Sequence, residues 1–348
     1  MPKINFHTIP TKDKVEIYQQ ISNKTRMPPF AVEKDWWVVQ ALSAIFEMED
    51  SKYLVFKGGT SLSKAWALID RFSEDVDLAI DRTFFGFNGN LSRKQITELR
   101  KKASNYTSGV FLEELKCKFL EKGLDGVIFK LVETRESDQD PRIIEIYYPN
   151  VIKAPGYLEP RVQIEIGCRS LKEPFTVQSI ASLVDENYPA MEFSLPSIQV
   201  PTVNPERTFL EKIFLLHEEF QRPIEKIRVA RLSRHLYDVV KLSKSEFAKK
   251  AFTDKNLYET IVLHRHTFNR LGGVDYNLHQ TKTINPIPVH EVMEDWKIDY
   301  NKMIEEMIYE ENPLSFQEIM DELMKIKVKI NSLEWEFSNR FPYEINND

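Results

Sequence analysis

The sequence predicts an α+β fold: a sheet flanked by helices within residues 1–200, followed by a helical C-terminal domain over residues 201–348. Two patterns predict it. Short runs rich in Ile, Val, Tyr and Phe, separated by turn residues, fill the stretch from about residue 53 to 200. From Asn204 onward the apolar spacing is that of helices. At 348 residues the chain can form one large domain or two ordinary ones, and 42% hydrophobic residues suffice for a core.

Helices come first. Val15, Tyr18 and Ile21 recur at helical spacing, and after Pro28-Pro29 so do Val32, Trp36, Val39 and Leu42. Tyr53 to Phe56 is a short apolar β run, Thr60 to Ile69 is helical, and Val76 to Ile80 alternates as a half-buried strand does. The Gly- and Asn-containing stretch from Asp81 to Ser92 predicts a mobile loop, and Arg93 to Lys122 a helical region. Strands are expected over Val127 to Thr134, Arg142 to Tyr148, Arg161 to Cys168, around Phe175, and over Phe193 to Val200. Asn204 suits an N-cap and Pro205 a first helical position, opening an apolar helix to about Phe220.

Several classes are set aside. No run of 18 apolar residues exists and the N-terminus lacks a secretory signal, so no membrane partner and a cytoplasmic location are expected. Cys117 and Cys168 lie far apart without metal-like spacing and read as buried thiols. A net charge of −6 confines any RNA contact to a local surface. His264 and His266 fall on different helix faces, and His217-Glu218-Glu219 lacks the second His of a zinc-protease helix. Arg265, Arg270 and Lys282 could steer RNA, though a solvated surface is the better reading.

The chemistry concentrates in two segments. In YLVFKGGTSLSKAWALI a strand leads through Gly58 and Gly59 into a helix opening with Thr60 and Ser61. Glycines let backbone approach an anion, a new helix offers unpaired N–H groups, and Lys57 adds a cation. In RFSEDVDLAI, Asp75 and Asp77 stand two apart and so share one face of a strand. Two acids on one face call for a divalent cation, and Mg²⁺ suits one or two carboxylates plus phosphate oxygens. A second Asp-x-Asp, Asp138-Gln139-Asp140, has no glycine turn beside it and reads as solvated.

The order KGGTSLSKAW, loop, RFSEDVDLAI resembles the signature of the DNA polymerase β-like nucleotidyltransferases, and within them the AbiEii toxin family. The fifteen residues between Gly59 and Asp75 suit the AbiEii-like branch. The resemblance runs from about residue 28 to 245 and implies a nucleotidyltransferase core with a mixed sheet. It implies a third catalytic and metal-binding acid on a neighbouring strand. In RVQIEIGC the alternation of Val162, Ile164 and Ile166 leaves Gln163 and Glu165 on the polar face, so Glu165 is the candidate and Glu145 its rival. In VEKDWWV, Lys34 and Asp35 are candidates to border the site, whereas Trp36 and Trp37 read as core.

Beyond residue 204, NPERTFLEKIFLLHEEF is apolar around most of its circumference, so Lys212 is only partly exposed and calls for an anion. Arg231, Arg234 and Asp238 are spaced for one helix face. LEK followed by R-H-x-Y-D is similar to the two C-terminal AbiEii motifs. That similarity implies that Lys212 and Arg234 meet nucleotide and that Asp238 is needed for activity.

The resemblance also implies NMP transfer from an NTP, with two Mg²⁺ ions, to an acceptor hydroxyl at the 3′ end of tRNA or another RNA. It implies a toxin of a toxin–antitoxin or phage-defence module with a cognate antitoxin. Transfer to a protein or small molecule, or a non-catalytic nucleotide-binding scaffold, are the alternatives.

Overall fold

The structure is a computed structural model and describes residues 5–73, 75–133, 140–153, 159–169 and 173–342. It divides into two compact units, one of residues 1–67 and 72–203, the other of residues 68–71 and 204–348. The division falls three residues later than the sequence pattern places it, because the last strand runs on through Val203. The sequence also gave no sign that Leu68–Arg71 departs from its neighbours to join the second unit.

The first unit opens with α1 (Thr11–Thr25) and α2 (Pro29–Phe46). Arg26 ends α1 in a left-handed conformation (φ 62°), and Pro29 starts α2 at a position that has no N–H to lose. Strand β1 (Leu54–Lys57), helix α3 (Gly58–Lys64) and strand β2 (Asp75–Ile80) follow. Next come α4 (Arg93–Tyr106) and α5 (Leu112–Glu121), joined by a π-helical turn over Thr107–Phe111 within the single helical region expected. Strands β3 (Ile128–Leu131), β4 (Arg142–Tyr147), β5 (Arg161–Gly167) and β6 (Phe175–Ile180), helix α6 (Leu183–Asn187) and strand β7 (Ile198–Val203) complete the unit.

The seven strands form one mixed sheet in the order β3-β4-β5-β2-β1-β7-β6. β2 runs parallel to β5 and β1 parallel to β7, while the other neighbours are antiparallel. Alternation sorts the faces. Leu54, Phe56, Val76, Leu78, Ile144, Val162 and Ile164 point into the main core with Trp36, Val39 and Leu42 of α2 and Leu115 and Phe119 of α5. Each such burial contributes about 1.5–3 kcal/mol. The alternate residues, among them Lys57, Asp75, Asp77, Gln163 and Glu165, therefore belong to the opposite face.

Three local expectations change. Helix α3 stops at Lys64, short of Ile69, because Ala67 turns left-handed (φ 50°) and Leu68–Arg71 joins the other unit. The stretch after β2 is ordered: Asp81 accepts from Thr83 N at 2.9 Å to cap a 3-10 turn, and the buried Arg82 donates to the Gly89 carbonyl at 2.5 Å. A Ser92–Gln95 capping box then starts α4. Phe193 to Ser197 is not strand, since the chain there folds back on α6, with Leu195 N donating to Asp185 at 2.8 Å.

Cys117 is exposed, whereas Cys168 is buried as expected. Asp140 is buried rather than solvated, accepting from Cys168 N at 3.0 Å and from Arg169 Nε at 2.5 Å. Asp138 and Gln139 lie outside the described residues. Among the described residues no helix is long and apolar enough to cross a membrane.

The second unit is helical: α7 (Pro205–Glu219), α8 (Arg234–Ser243), α9 (Glu246–Ala251), α10 (Lys255–Phe268), α11 (Met293–Met307) and α12 (Phe316–Asn331). Its interior is charged as well as apolar. Arg265 is a largely buried partner and not a solvated cation, with Nη2 2.5 Å from Glu218 Oε2 and Nε 2.6 Å from Oε1. His279 Nε2 lies 3.1 Å from the same carboxylate. Burial opposes the charge on Glu218, but Arg265 and His279 outweigh it and hold the group down to about 2. The end of α7 is thus a buried polar network, where the sequence suggested only a helix end.

His217 completes that network as a neutral ring. Its Nδ1 accepts from Asn285 N at 3.0 Å, so the ring proton sits on Nε2, 3.0 Å from the Leu278 carbonyl. Burial, with His279 adjacent, holds His217 down to about 3. A buried base with a depressed folded pKa favours folding fully above its unfolded value near 6.5 and loses that contribution as pH falls toward 3. Urea unfolding should therefore show stability declining from pH 6.5 downward, by up to about 1.4 kcal/mol per pH unit from this ring. His217→Gln should flatten part of that decline; an unchanged slope would rule the ring out as its source.

Candidate active site

Two in-register rows on the face opposite the main core build the site. Lys57 of β1 pairs with Asp77 of β2, and Asp77 pairs with Glu165 of β5, so one row reads Lys57, Asp77, Glu165. Asp75 pairs with Gln163, and Gln163 with Glu145 of β4, forming the next row. Register partners on neighbouring strands point to the same face about 5 Å apart. Asp75 and Asp77 lie two residues apart along β2, about 7 Å, and also share that face.

A tight turn brings the glycines against this row. Gly58 has φ 81°, and a Cβ placed on it would come within 1.9 Å of Asp77 Oδ2. The carboxylate thus fills the volume that any other residue at position 58 would claim. Thr60 Oγ1 donates to the Asp75 carbonyl at 2.5 Å and lies 3.0 Å from Ser73 Oγ, fastening the first turn of α3 to the start of β2. Ser61 Oγ donates to the Gly58 carbonyl at 2.9 Å.

These contacts refine the roles of Thr60 and Ser61. Both are buried and both hydroxyls hold backbone oxygens, so what they can offer an anion is the main chain. The first-turn N–H groups of a helix have no intrahelical acceptor, and α3 has no side-chain cap. Amides, two carboxylates and Lys57 consequently share one corner of the sheet.

The two candidates for the third acid differ sharply. Glu145 is neutralised by the Arg161 guanidinium in direct contact and accepts from the Tyr147 hydroxyl at 3.0 Å. Glu165 stands beside Asp77 and accepts from Gln163 Nε2 at 2.8 Å. Among the described residues no three His, Cys, Asp or Glu side chains converge as a finished metal cage. A divalent ion that takes one or two carboxylates and fills its remaining positions with phosphate oxygens and water does not need one. The cradle beside Gly58 and the acids on one face fit an ion of that kind arriving with a nucleotide.

Lys34 and Asp35 serve structure. Asp35 pairs with Lys64 of α3 at 2.8 Å and accepts from Leu183 N at 2.7 Å, bracing α2, α3 and α6. Lys34 is buried, 5.8 Å from the Phe72 ring centre. Trp36 and Trp37 are buried in the core as expected.

In the second unit the pairing of charges is equally explicit. Asp238, fully buried, accepts from Arg71 Nε and Nη2, each at 2.7 Å, and pairs with Lys212 Nζ at 2.9 Å. Burial works against its ionisation, yet Arg71 and Lys212 hold it well below the usual carboxylate range. The His235 ring lies 3.3 Å from Lys212 Nζ, and burial with that cation keeps it neutral. Lys212 is more buried than its helix pattern suggested, and the anion it requires is supplied by Asp238.

Arg231 does not share the α8 face with Arg234 and Asp238: it precedes the helix in a left-handed conformation (φ 62°), and α8 begins at Arg234. Sequence reasoning missed Arg71. Its position between Ile69 and Phe72 was the available signal, since a charge among apolar residues is often buried against a partner. Tyr309 N donates to the Asp70 carbonyl at 3.1 Å and Arg71 bridges Ile308, which explains why this short segment belongs to the second unit.

Residues 40–322 match the sequence model of the family described as nucleotidyl transferase AbiEii toxin, type IV TA system. The fold is similar to that of MenT4, the nucleotidyltransferase toxin Rv2826c from Mycobacterium tuberculosis H37Rv. The two share 16% identity over 91% of this chain and 90% of that one, with a TM-score of 0.50. JHP933 from Helicobacter pylori is 15% identical over 84% of this chain and 89% of its own, with a TM-score of 0.37. No curated protein sequence matches.

Gly58→Ala should force the Asp77 carboxylate aside and add backbone strain of about 1–3 kcal/mol. Thermal unfolding and an activity assay together check this, and wild-type behaviour in both would refute the close approach. Asp238→Ala leaves two buried cations without their carboxylate and should cost about 3–5 kcal/mol in urea unfolding. A loss below about 1 kcal/mol would show that the triad is not holding the fold.

Proposed function

The chain belongs to the AbiEii family of nucleotidyl transferase toxins, and from that membership we propose that it transfers NMP from a Mg–NTP to the 3′ end of tRNA. Enzymes of this family are nucleotidyltransferases of toxin–antitoxin systems, which implies an NTP substrate and a cognate antitoxin. The acceptor, the use of two Mg²⁺ ions and a part in phage defence are our extension. The observation that carries the reading is the in-register placement of Asp77 between Lys57 and Glu165, with Asp75 on the same face and Gly58 against it.

Asp75 and Asp77 would hold the magnesium ions, with Glu165 completing the set. Such ions, when bound, supply Lewis-acid stabilisation of the phosphoryl oxygens and ease ionisation of the attacking hydroxyl. The main-chain amides of Gly59, Thr60 and Ser61 hold the β- and γ-phosphates, and the Lys57 ammonium offsets their charge. Glu165 accepts the proton of the acceptor hydroxyl. The acceptor oxygen then forms a bond to the α-phosphorus as the bond to the bridging oxygen breaks, and pyrophosphate leaves.

For the second unit, the family resemblance supports Lys212 and Arg234 as nucleotide ligands. The three bonds that Asp238 makes to Arg71 and Lys212 support a positioning role for it. Asp238 thus acts through its neighbours and not on the reacting atoms.

Incubation with α-labelled NTPs and total RNA should label the 3′ end of tRNA and stop when the metal is chelated. Asp77→Asn should lower transfer by about 10²–10³ or more while the protein stays folded. Near-normal turnover in that variant would overturn the site assignment. Label found only on protein or a small molecule would overturn the acceptor.

A further inference from the structure

The face that carries the acids continues into a cavity of about 200 Å³. At about 30 Å³ for each water in the liquid, it has room for a flat ring and not merely for one or two solvent molecules. Its floor follows from the pleat. Val55 is the second residue back from Lys57 on β1 and Ala79 the second on from Asp77 along β2, while Tyr53 and Asp81 follow just beyond the strand ends. Asp81 N donates to the Tyr53 carbonyl at 2.9 Å, carrying the β1–β2 ladder one rung beyond its last paired residues. Phe175, 37% exposed, and Thr83 stand at the sides.

Direction along the strands gives the cavity its meaning. Gly58 lies at one end of β1 and the cavity at the other, with Lys57 and Asp77 between them on the same face. From Asp77, Ala79 is about 7 Å away and Asp81 about 14 Å away. A nucleotide whose phosphates rest at the glycine turn and whose α-phosphorus lies by the acids has its sugar over Val55 and Ala79 and its base beyond them. The lining suits a base: the exposed Phe175 ring, two strands over from Lys57 across β7, for stacking, and polar groups from Asp81 and Thr83 at the rim.

We propose that this cavity is the binding site for the base of the incoming NTP. The inference rests on the nucleotidyl-transfer reading, and inorganic triphosphate separates the two because it has phosphates but no base. Calorimetric titrations with each Mg–NTP and with Mg–tripolyphosphate are run on the wild type, on Phe175→Ala, which removes the stacking ring, and on Thr83→Trp, which plugs the cavity from an exposed position.

The expected result is that at least one Mg–NTP binds the wild type more tightly than tripolyphosphate. Both variants should weaken that NTP about tenfold or more and leave tripolyphosphate unchanged. If tripolyphosphate binds and the NTPs lose nothing in either variant, the base lies elsewhere and the inference fails while the phosphate site stands. If the wild type binds neither ligand, the nucleotidyl-transfer reading fails and the inference falls with it. If both variants raise KM for the RNA acceptor and leave NTP binding intact, the cavity belongs to the acceptor and the inference is overturned.

Discussion

Asp77 occupies the space where a side chain on residue 58 would have to go. That single exclusion ties the turn leaving β1 to the strand beside it. Left-handed φ at Gly58 aims the first turn of α3, and the Thr60 hydroxyl locks that turn to the Asp75 carbonyl. The first-turn amides of α3 and the two acids of β2 are therefore set by one piece of backbone. A glycine is required here because a carboxylate, and not a loop, fills the missing volume.

Local chemistry was legible in the sequence; what distant segments do to one another was not. The strand, Gly-Gly, helix and Asp-x-Asp order could be read because glycine and period-two alternation act over a few residues. The alternation of Val162, Ile164 and Ile166 likewise put Glu165 on the polar face. Nothing in that pattern said that β5 would lie beside β2, with Glu165 level with Asp77. The pairing of Glu145 was hidden for a related reason, since it depends on Arg161 reaching across from the adjacent strand.

Buried charge was the least legible feature. Asp140, Arg265 and Glu218 each look like surface residues by type, yet Asp140 and Glu218 are buried, Arg265 is largely so, and each has an opposite charge in contact. Removing such groups from water is costly unless every partner is in place, so their position can be inferred only once the partners are known. The same reasoning recasts Asp238. A carboxylate that accepts two bonds from one guanidinium and another from an ammonium has little left to offer a reacting atom.

The excursion of Leu68–Arg71 into the helical unit has a consequence for how this protein can be taken apart or recombined. A fragment cut after Val203 would retain Arg71 but discard Asp238, stranding a guanidinium whose buried carboxylate partner lies in the helical half. The helical half is thus no detachable module. Shuffling it onto another catalytic half would succeed only if a matching arginine, four positions ahead of the first acid, travelled with the graft.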